Sequence, residues 1–269
     1  MRKIAVILFS IIVFQSKAQD CSFTPDIDKY ICLESNYETK LSQWLADYKI
    51  IMVGEMHGTN ESAEFVAKLV ETLSKNKEVI LALEIPANEL EKDSLGQIKF
   101  FKEIKQDGRS NQAIFDLIKH FENNNQVDIK AFDIKSNLDS FPPDRDKYMS
   151  EQILSLYKQY PNKTIISLSG NFHNSLDIRF DIKTMGYYLK QSFSDEKIAS
   201  INISWSKGRA NFNIGEGLAL MDLGVKNTSC TTGFNCSTFL YDYRDKQTNY
   251  NYYLYCDTIT PAFPFVYKH

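Results

Sequence analysis

Histidine is scarce in this sequence, and cysteine is missing from most of it. Four histidines occur in 269 residues, at positions 57, 120, 173 and 269. The five cysteines, Cys21, Cys32, Cys230, Cys236 and Cys256, lie towards the two ends, and none falls between Leu33 and Ser229. That gap excludes a thiol nucleophile or a cysteine metal cluster from the centre of the chain. Beyond residue 18 no apolar run approaches the roughly 20 residues that a membrane-spanning helix needs, so no span is expected. There is no internal repeat, no low-complexity tract and no basic stripe. Lys and Arg together number 31 against 34 Asp and Glu, an acidic balance that makes nucleic acid or an anionic membrane a poor partner.

What is present describes a globular protein, with 43% apolar and 13% aromatic residues. The first eighteen residues stand apart. Arg2 and Lys3 precede the apolar stretch "IAVILFSIIVF", and "QSKA" follows with Ser16 and Ala18 at the small-residue positions of a cleavage site. This is the layout of a secretory signal peptide, residues 1–18, and it predicts a secreted or periplasmic protein with one domain spanning 19–269. Removing Arg2, Lys3 and Lys17 leaves 28 basic and 34 acidic residues, a charge of −6. In an oxidising compartment the terminal cysteines predict disulfides. Cys21–Cys32 and Cys230–Cys236 are the simplest pairs, leaving Cys256 free, although spacing does not fix the connectivity.

Along the chain, apolar runs alternate with helical patterns. "YKIIMVG", "EVILALEIP", "VDIKAFDI", "KTIISLSG" and "KIASINISW" have the character of buried strands. "SAEFVAKLVETLSKN", "DRDKYMSEQILSLYKQY" and "DIKTMGYYLKQSF" have helical spacing, and helices are also expected over 88–106 and 110–124. The rhythm predicts an α/β fold, a central and mostly parallel sheet flanked by helices. After Trp205, "GLALMDLG", "STFLYDYR" and "NYYLYCDTI" predict a β-rich C-terminal extension, either continuing the sheet at one edge or forming a small β subregion. Its tyrosines are expected to pack on those strands.

In open parallel sheets, ligands bind beyond the carboxyl ends of the strands. The polar residues at those ends are Glu55 and His57, Glu84, Asp133, and then Gly170, Asn171 and His173. Two of the four histidines occur as Gly-x-x-His straight after a strand, "GEMH" and "GNFH". Histidine is the usual general base near neutral pH and a common metal ligand. His57, Glu55, Glu84 and His173 are therefore the candidate catalytic residues. His57, Glu84 and His173 are also a candidate ligand set for a divalent metal, with a position left open for water. Asp133 and Asn171 are candidate substrate contacts. Asp144 has the place of a helix N-cap, and Arg145 and Asp146 follow in the first turn. Arg145 there either pairs with a neighbouring acid or holds a substrate anion or developing oxyanion. His120 is expected on a helix flank at the surface, and His269 in a loose terminus.

The set "GEMHGTNE", "ALEIP", "AFDIKS", "RDKYM" and "GNFHN", in that order, resembles the superfamily of erythromycin esterases, ChaN-like haem-binding proteins and Tiki/TraB proteins. The resemblance covers roughly residues 45–205. It implies an α/β fold with its site at the strand ends. Likeness to the esterases implies water activation and substrate binding by Glu55, His57, Arg145 and His173. Likeness to Tiki proteins implies a metal-dependent peptidase using His57, His173 and Glu84, and likeness to ChaN implies haem in the same cleft. The sequence departs from the esterases in having Glu-x-His where they have Glu-x-x-His. The expectation is a hydrolase of an ester or amide bond in a small-molecule or peptide substrate, with haem or iron binding as the alternative. Whether a divalent metal, haem or no cofactor serves it stays open at this stage.

Overall fold

The computed structural model describes residues 26–267 apart from 106, 137–143, 194–196, 214–217, 225–235 and 247. The predicted signal peptide, Cys21, Cys230 and His269 lie outside the described residues.

The chain order is β1 (Tyr30–Cys32), α1 (Glu38–Leu45), β2 (Ile50–Glu55), α2 (Glu61–Ser74), β3 (Val79–Pro86), α3 (Gln112–Phe121), β4 (Val127–Asp133), α4 (Arg145–Gln159), β5 (Thr164–Gly170), α5 (Met185–Ser192), β6 (Ile198–Asn213), β7 (Leu218–Asp222), β8 (Thr238–Asp242) and β9 (Tyr252–Ile259). One nine-stranded sheet runs β1-β8-β9-β6-β2-β5-β3-β4, with β7 paired to the far end of β6. From β9 to β4 all neighbours are parallel, while β8 joins β9, and β1 joins β8, antiparallel.

β2, β3 and β5 are buried on both faces, while β4, at the sheet edge, is half-buried along its middle. Side chains alternate across a strand, so each run feeds two cores. Ile51, Val53, Leu81, Leu83, Ile166 and Leu168 enter the core beneath α1, α2 and α3. Ile50, Met52, Ile80, Ala82 and Ile165 enter the other, against Met149 and Ile153 of α4 and Met185 and Leu189 of α5. α2 meets its core with Phe65, Val66, Leu69, Val70 and Leu73, the spacing of a helix with one apolar stripe.

The winding reverses in the middle. β2 leads through α2 to β3 and through α3 to β4, with both helices on one face. β4 then returns through α4 to β5 and through α5 to β6, with both helices on the other face. β5 sits between β2 and β3, so the chain leaves β2 and β5 towards opposite faces. A crevice opens at such a point.

Two expectations are corrected. Residues 88–106 are not a helix. A turn around Gly96, at φ +74°, interrupts them, and only a short 3-10 turn at Lys99–Lys102 forms. Cys32 pairs with Cys236 rather than with Cys21, and Cys236 therefore not with Cys230. The cause is the antiparallel pairing of β1 with β8, which sets Cys32 against Phe239 and brings the start of β8 alongside. Cys256 is the free, buried cysteine among the described residues. The tail does extend the sheet at one edge, and its tyrosines pack there: Tyr241, Tyr243, Tyr250 and Tyr252 are all buried. No helix among the described residues is long and apolar enough to cross a membrane.

Candidate active site at the strand ends

Four adjacent strands deliver the site. Register places Glu55, the last residue of β2, beside Gly170, the last of β5. Glu84 lies near the end of β3, and its Oε2 accepts the Gly170 backbone N–H at 2.7 Å. Asp133 closes β4. Glu55, Glu84 and Asp133 are all buried, so each requires a partner.

Glu55 takes His57. Its Oε1 lies 2.8 Å from His57 Nδ1, and because a carboxylate only accepts, Nδ1 carries the hydrogen. Nε2 is then the working nitrogen, on a side chain that is 21% exposed. The turn after His57 depends on Gly58, at φ +75°, where a Cβ would strike the Asn211 carbonyl oxygen. Burial disfavours the His57 imidazolium, but the charge and hydrogen bond of Glu55, with Glu84 behind it, outweigh burial and raise the His57 pKa above its ordinary value.

His173 forms a second carboxylate–imidazole pair. Its Nδ1 lies 2.8 Å from Asp146 Oδ1, which also accepts the Met185 N–H at the start of α5. Its Nε2 lies 3.2 Å from Arg145 Nη1. A guanidinium only donates, so Nε2 offers its lone pair and His173 is the neutral Nδ1–H tautomer. The loop that carries it is pinned by the backbone, Asn171 N–H to Glu55 O at 3.0 Å and Gly186 N–H to His173 O at 2.8 Å.

Two arginines fill the centre. Asp144 caps α4 by accepting from Lys147 N–H, which sets Arg145 at the end of β4. Arg145 donates through Nε to Asp133 Oδ1 at 2.9 Å and through Nη2 to Asp133 Oδ2 at 2.7 Å and to Glu84 Oε1. With the Nη1 bond to His173, these engage four of its five N–H groups. One Nη1–H remains, on a side chain that is 36% exposed. Arg109 donates through Nη1 to Asp133 Oδ2 at 2.9 Å, to the Glu84 carbonyl at 2.9 Å and to Glu84 Oε1 at 3.2 Å, and through Nε to Asp107 at 2.7 Å. Its Nη2 has no hydrogen-bond partner among the described residues. Arg109, Glu55 and Glu84 line one narrow cavity floored by Leu83 and Leu168. Burial alone would raise the Glu84 pKa, yet the positive charges of Arg109, His57 and Arg145 together hold it well below the usual carboxylate range.

The structure thus brings Glu55, His57, Glu84, Asp133, Arg145 and His173 into one cluster. Of the two expected substrate contacts, Asp133 is buried and occupied by both arginines. Asn171 is engaged through its backbone, with its carbonyl accepting from Tyr250 Oη at 2.9 Å. His120 is on the surface of α3, paired with Glu71 at 2.7 Å. Arg109 was missed, since "DGRSN" carries only a turn signal. Asp146, whose place in the first turn of α4 was expected, was not assigned to His173.

As a metal ligand set, His57, Glu84 and His173 do not fit in this arrangement. Among the described residues only Cys32, Glu34 and Cys236 bring three donor atoms within 4.8 Å of one another, and those two thiols form the disulfide. Between Glu84 and His173 stands the Arg145 guanidinium, bonded to both.

This architecture is an α/β fold, a parallel sheet whose winding reverses between β2 and β5. Solved structures bear out the fold. The chain is similar to a succinoglycan biosynthesis protein (TM-score 0.68, 11% identity, 87% of this chain and 96% of the other). It is likewise similar to a protein of Bacillus cereus (TM-score 0.62, 12% identity, 88% and 96%). Erythromycin esterase EreC, as a mutant in its open conformation, matches with TM-score 0.65 at 10% identity over 86% of this chain and 98% of the other. ChaN of Campylobacter jejuni, with cofacial haem, is also found, at a TM-score of 0.37 and 15% identity. No family model and no curated protein matches the sequence.

Proposed function

We propose that the protein is an exported hydrolase that cleaves an ester or amide bond by direct attack of water, with His57 as the general base. The observation that carries this reading is the 2.8 Å contact of Glu55 with His57 Nδ1, which leaves Nε2 facing the space beside Gly170. His173 cannot serve as the base in the same way, because Arg145 already occupies its Nε2 lone pair.

In the reaction, His57 Nε2 takes a proton from water as the water oxygen bonds to the substrate carbonyl carbon. Glu55 stabilises the imidazolium so formed. The developing oxyanion is met by the remaining Nη1–H of Arg145 and by Nη2 of Arg109, charged donors held in place by Glu84 and Asp133 before the substrate arrives. The His57 imidazolium then gives its proton to the leaving alcohol or amine as the carbonyl re-forms, and the base is restored. His173, held by Asp146, fixes the direction of Arg145.

The test is hydrolysis of p-nitrophenyl esters and p-nitroanilides by the wild type and His57→Ala. General acid–base help is worth about 10²–10⁴ in rate, so the variant should lose nearly all activity while melting as the wild type does. Undiminished turnover in His57→Ala would sink the assignment. The resemblance to erythromycin esterases and the export signal support the reading, and the Cys32–Cys236 disulfide suits an oxidising compartment.

A further inference from the structure

Immediately past the second histidine the chain makes a two-residue hairpin. Arg179 and Ile182 exchange backbone hydrogen bonds at 3.0 and 2.8 Å, and Phe180 and Asp181 form the turn at φ +51° and +63°. Such a turn favours Asn-Gly, because both central residues are left-handed. A phenylalanine in that region is disfavoured, so the ring is kept at some cost to the backbone. The tip alternates apolar with charged residues, and its apolar ones are exposed: Ile178 is 48% exposed, Phe180 57%, with the Arg179 guanidinium 5.3 Å from its ring centroid, and Ile182 49%.

The hairpin is tied to the site. Arg179 Nη1 donates to Tyr250 Oη at 3.3 Å, and Tyr250 donates to the Asn171 carbonyl. The Phe180 ring lies parallel to Phe172, with centroids 6.4 Å apart, and Phe172 stands edge-on to His173 at 6.0 Å. An aromatic row therefore leads from the tip to the second imidazole. Inside the site, Glu55, Glu84, Asp133 and Asp146 outnumber Arg109 and Arg145, and Arg145 already holds two carboxylates in its fork. The donors still free among the described residues, one Nη1–H of Arg145 and Nη2 of Arg109, are those the proposed reaction gives to the oxyanion, so none is left over for a substrate carboxylate or phosphate.

We propose that Phe172 and Phe180 form a shelf that takes the apolar group of an uncharged ester or amide, beside His173. The substrate class follows: a neutral scissile bond with an aromatic or long aliphatic group on the His173 side. This deepens the hydrolase reading and rests on it.

The experiment compares p-nitrophenyl octanoate with the acetate for the wild type, Phe180→Ala, Phe180→Gly and Leu95→Ala, an exposed apolar residue outside the hairpin. The wild type should favour octanoate. In both Phe180 variants the octanoate-to-acetate ratio of kcat/KM should fall about tenfold, the low end of what one pocket contact gives. Leu95→Ala should keep the ratio. Phe180→Gly should also melt higher, since glycine relaxes the left-handed turn. An unchanged ratio in both Phe180 variants overturns the shelf, as does an equal fall for both esters. Binding of 4-nitrophenyl octyl ether, which cannot be hydrolysed, separates the two readings. Absence of ester turnover by the wild type counts against the hydrolase alone. Ether affinity equal in wild type and Phe180→Gly counts against the shelf whether or not esters are cleaved.

Discussion

Gly170 lies against both His57 and His173, and more tightly against His57. A Cβ at position 170 would lie 3.0 Å from His57 Nε2 and 3.5 Å from His173 Cδ2. The nitrogen proposed as the base is the nearer neighbour. Gly170→Ala should push the His57 ring from its place with little effect on the two cores, which lie below the strand ends. A displacement of about 1 Å can cost about 10² in rate. The ring here has to give by only a few tenths of an ångström, so the expected result is a several-fold loss in kcat with a nearly unchanged thermal melt. Wild-type kcat in Gly170→Ala would show that Nε2 does not need that space.

The raised pKa of His57 sets a pH dependence with a definite sign. A general base works only when deprotonated, so kcat/KM should rise with pH through an inflection above the ordinary histidine value of about 6.5. Glu55→Gln removes the charge that raises it, so the inflection should move to lower pH and the plateau rate should fall. The charged pair also stabilises the fold. That contribution is fully present below the unfolded histidine pKa and is lost as pH rises through the higher folded value. A profile with the same inflection in wild type and Glu55→Gln would show that Glu55 does not tune the base.

The strand ends were legible because the strands are parallel and buried. Largely apolar runs marked β2, β3 and β5 and the alternating "VDIKAFD" marked β4, and in such a sheet the first polar residues after each run converge. Asp144 was legible as a cap for a similar local reason. Arg109 was not. Its role comes from reaching back to the ends of β3 and β4, and nothing in "DGRSN" encodes that distance. The disulfide was misread for the same reason. Local spacing favoured near neighbours in sequence, whereas the pairing of β1 with β8 joins residues 204 positions apart. Asp146 was seen as a first-turn acid, but its partner His173 arrives from another strand.

Arg109 tests how far the cluster depends on charge balance. Removing it leaves Glu84 and Asp133 buried with Arg145 as their remaining guanidinium partner. Breaking a buried ion pair by deleting one member typically costs about 3–5 kcal/mol. Arg109→Ala should lose stability on that scale in denaturant unfolding and should lose activity as Arg145 shifts. Arg109→Lys should recover part of the stability but not the activity, because a lysine cannot reproduce the fork. Full activity in Arg109→Lys would remove Arg109 from the proposed oxyanion site.

Glu84 makes the acid limb of stability specific. Its folded pKa is depressed by the two arginines and His57 in spite of burial. A depressed carboxylate contributes stability above its unfolded pKa, about 4.3, and loses it as pH falls towards the folded value. The wild type should therefore weaken steeply below about pH 4. Glu84→Gln should be less stable at neutral pH and should show a flatter slope through the acid range. Parallel stability curves for the two proteins would mean that Glu84 is not held ionised by its neighbours.

The Cys32–Cys236 bond fastens an edge, not the site. β1 is three residues long and hydrogen-bonds only β8 in the sheet, so the bond is its main covalent tie to the tail. Closing a loop of this length restricts the unfolded chain, an effect worth roughly 5 kcal/mol in the entropy model. The proposed catalytic cluster sits at the ends of β2, β5, β3 and β4, at the other side of β6. Reduction, or Cys32→Ser with Cys236→Ser, should therefore lower the melting temperature while kcat at 25 °C stays near the wild-type value. A loss of kcat at a temperature where the reduced protein remains folded would show that the edge communicates with the site.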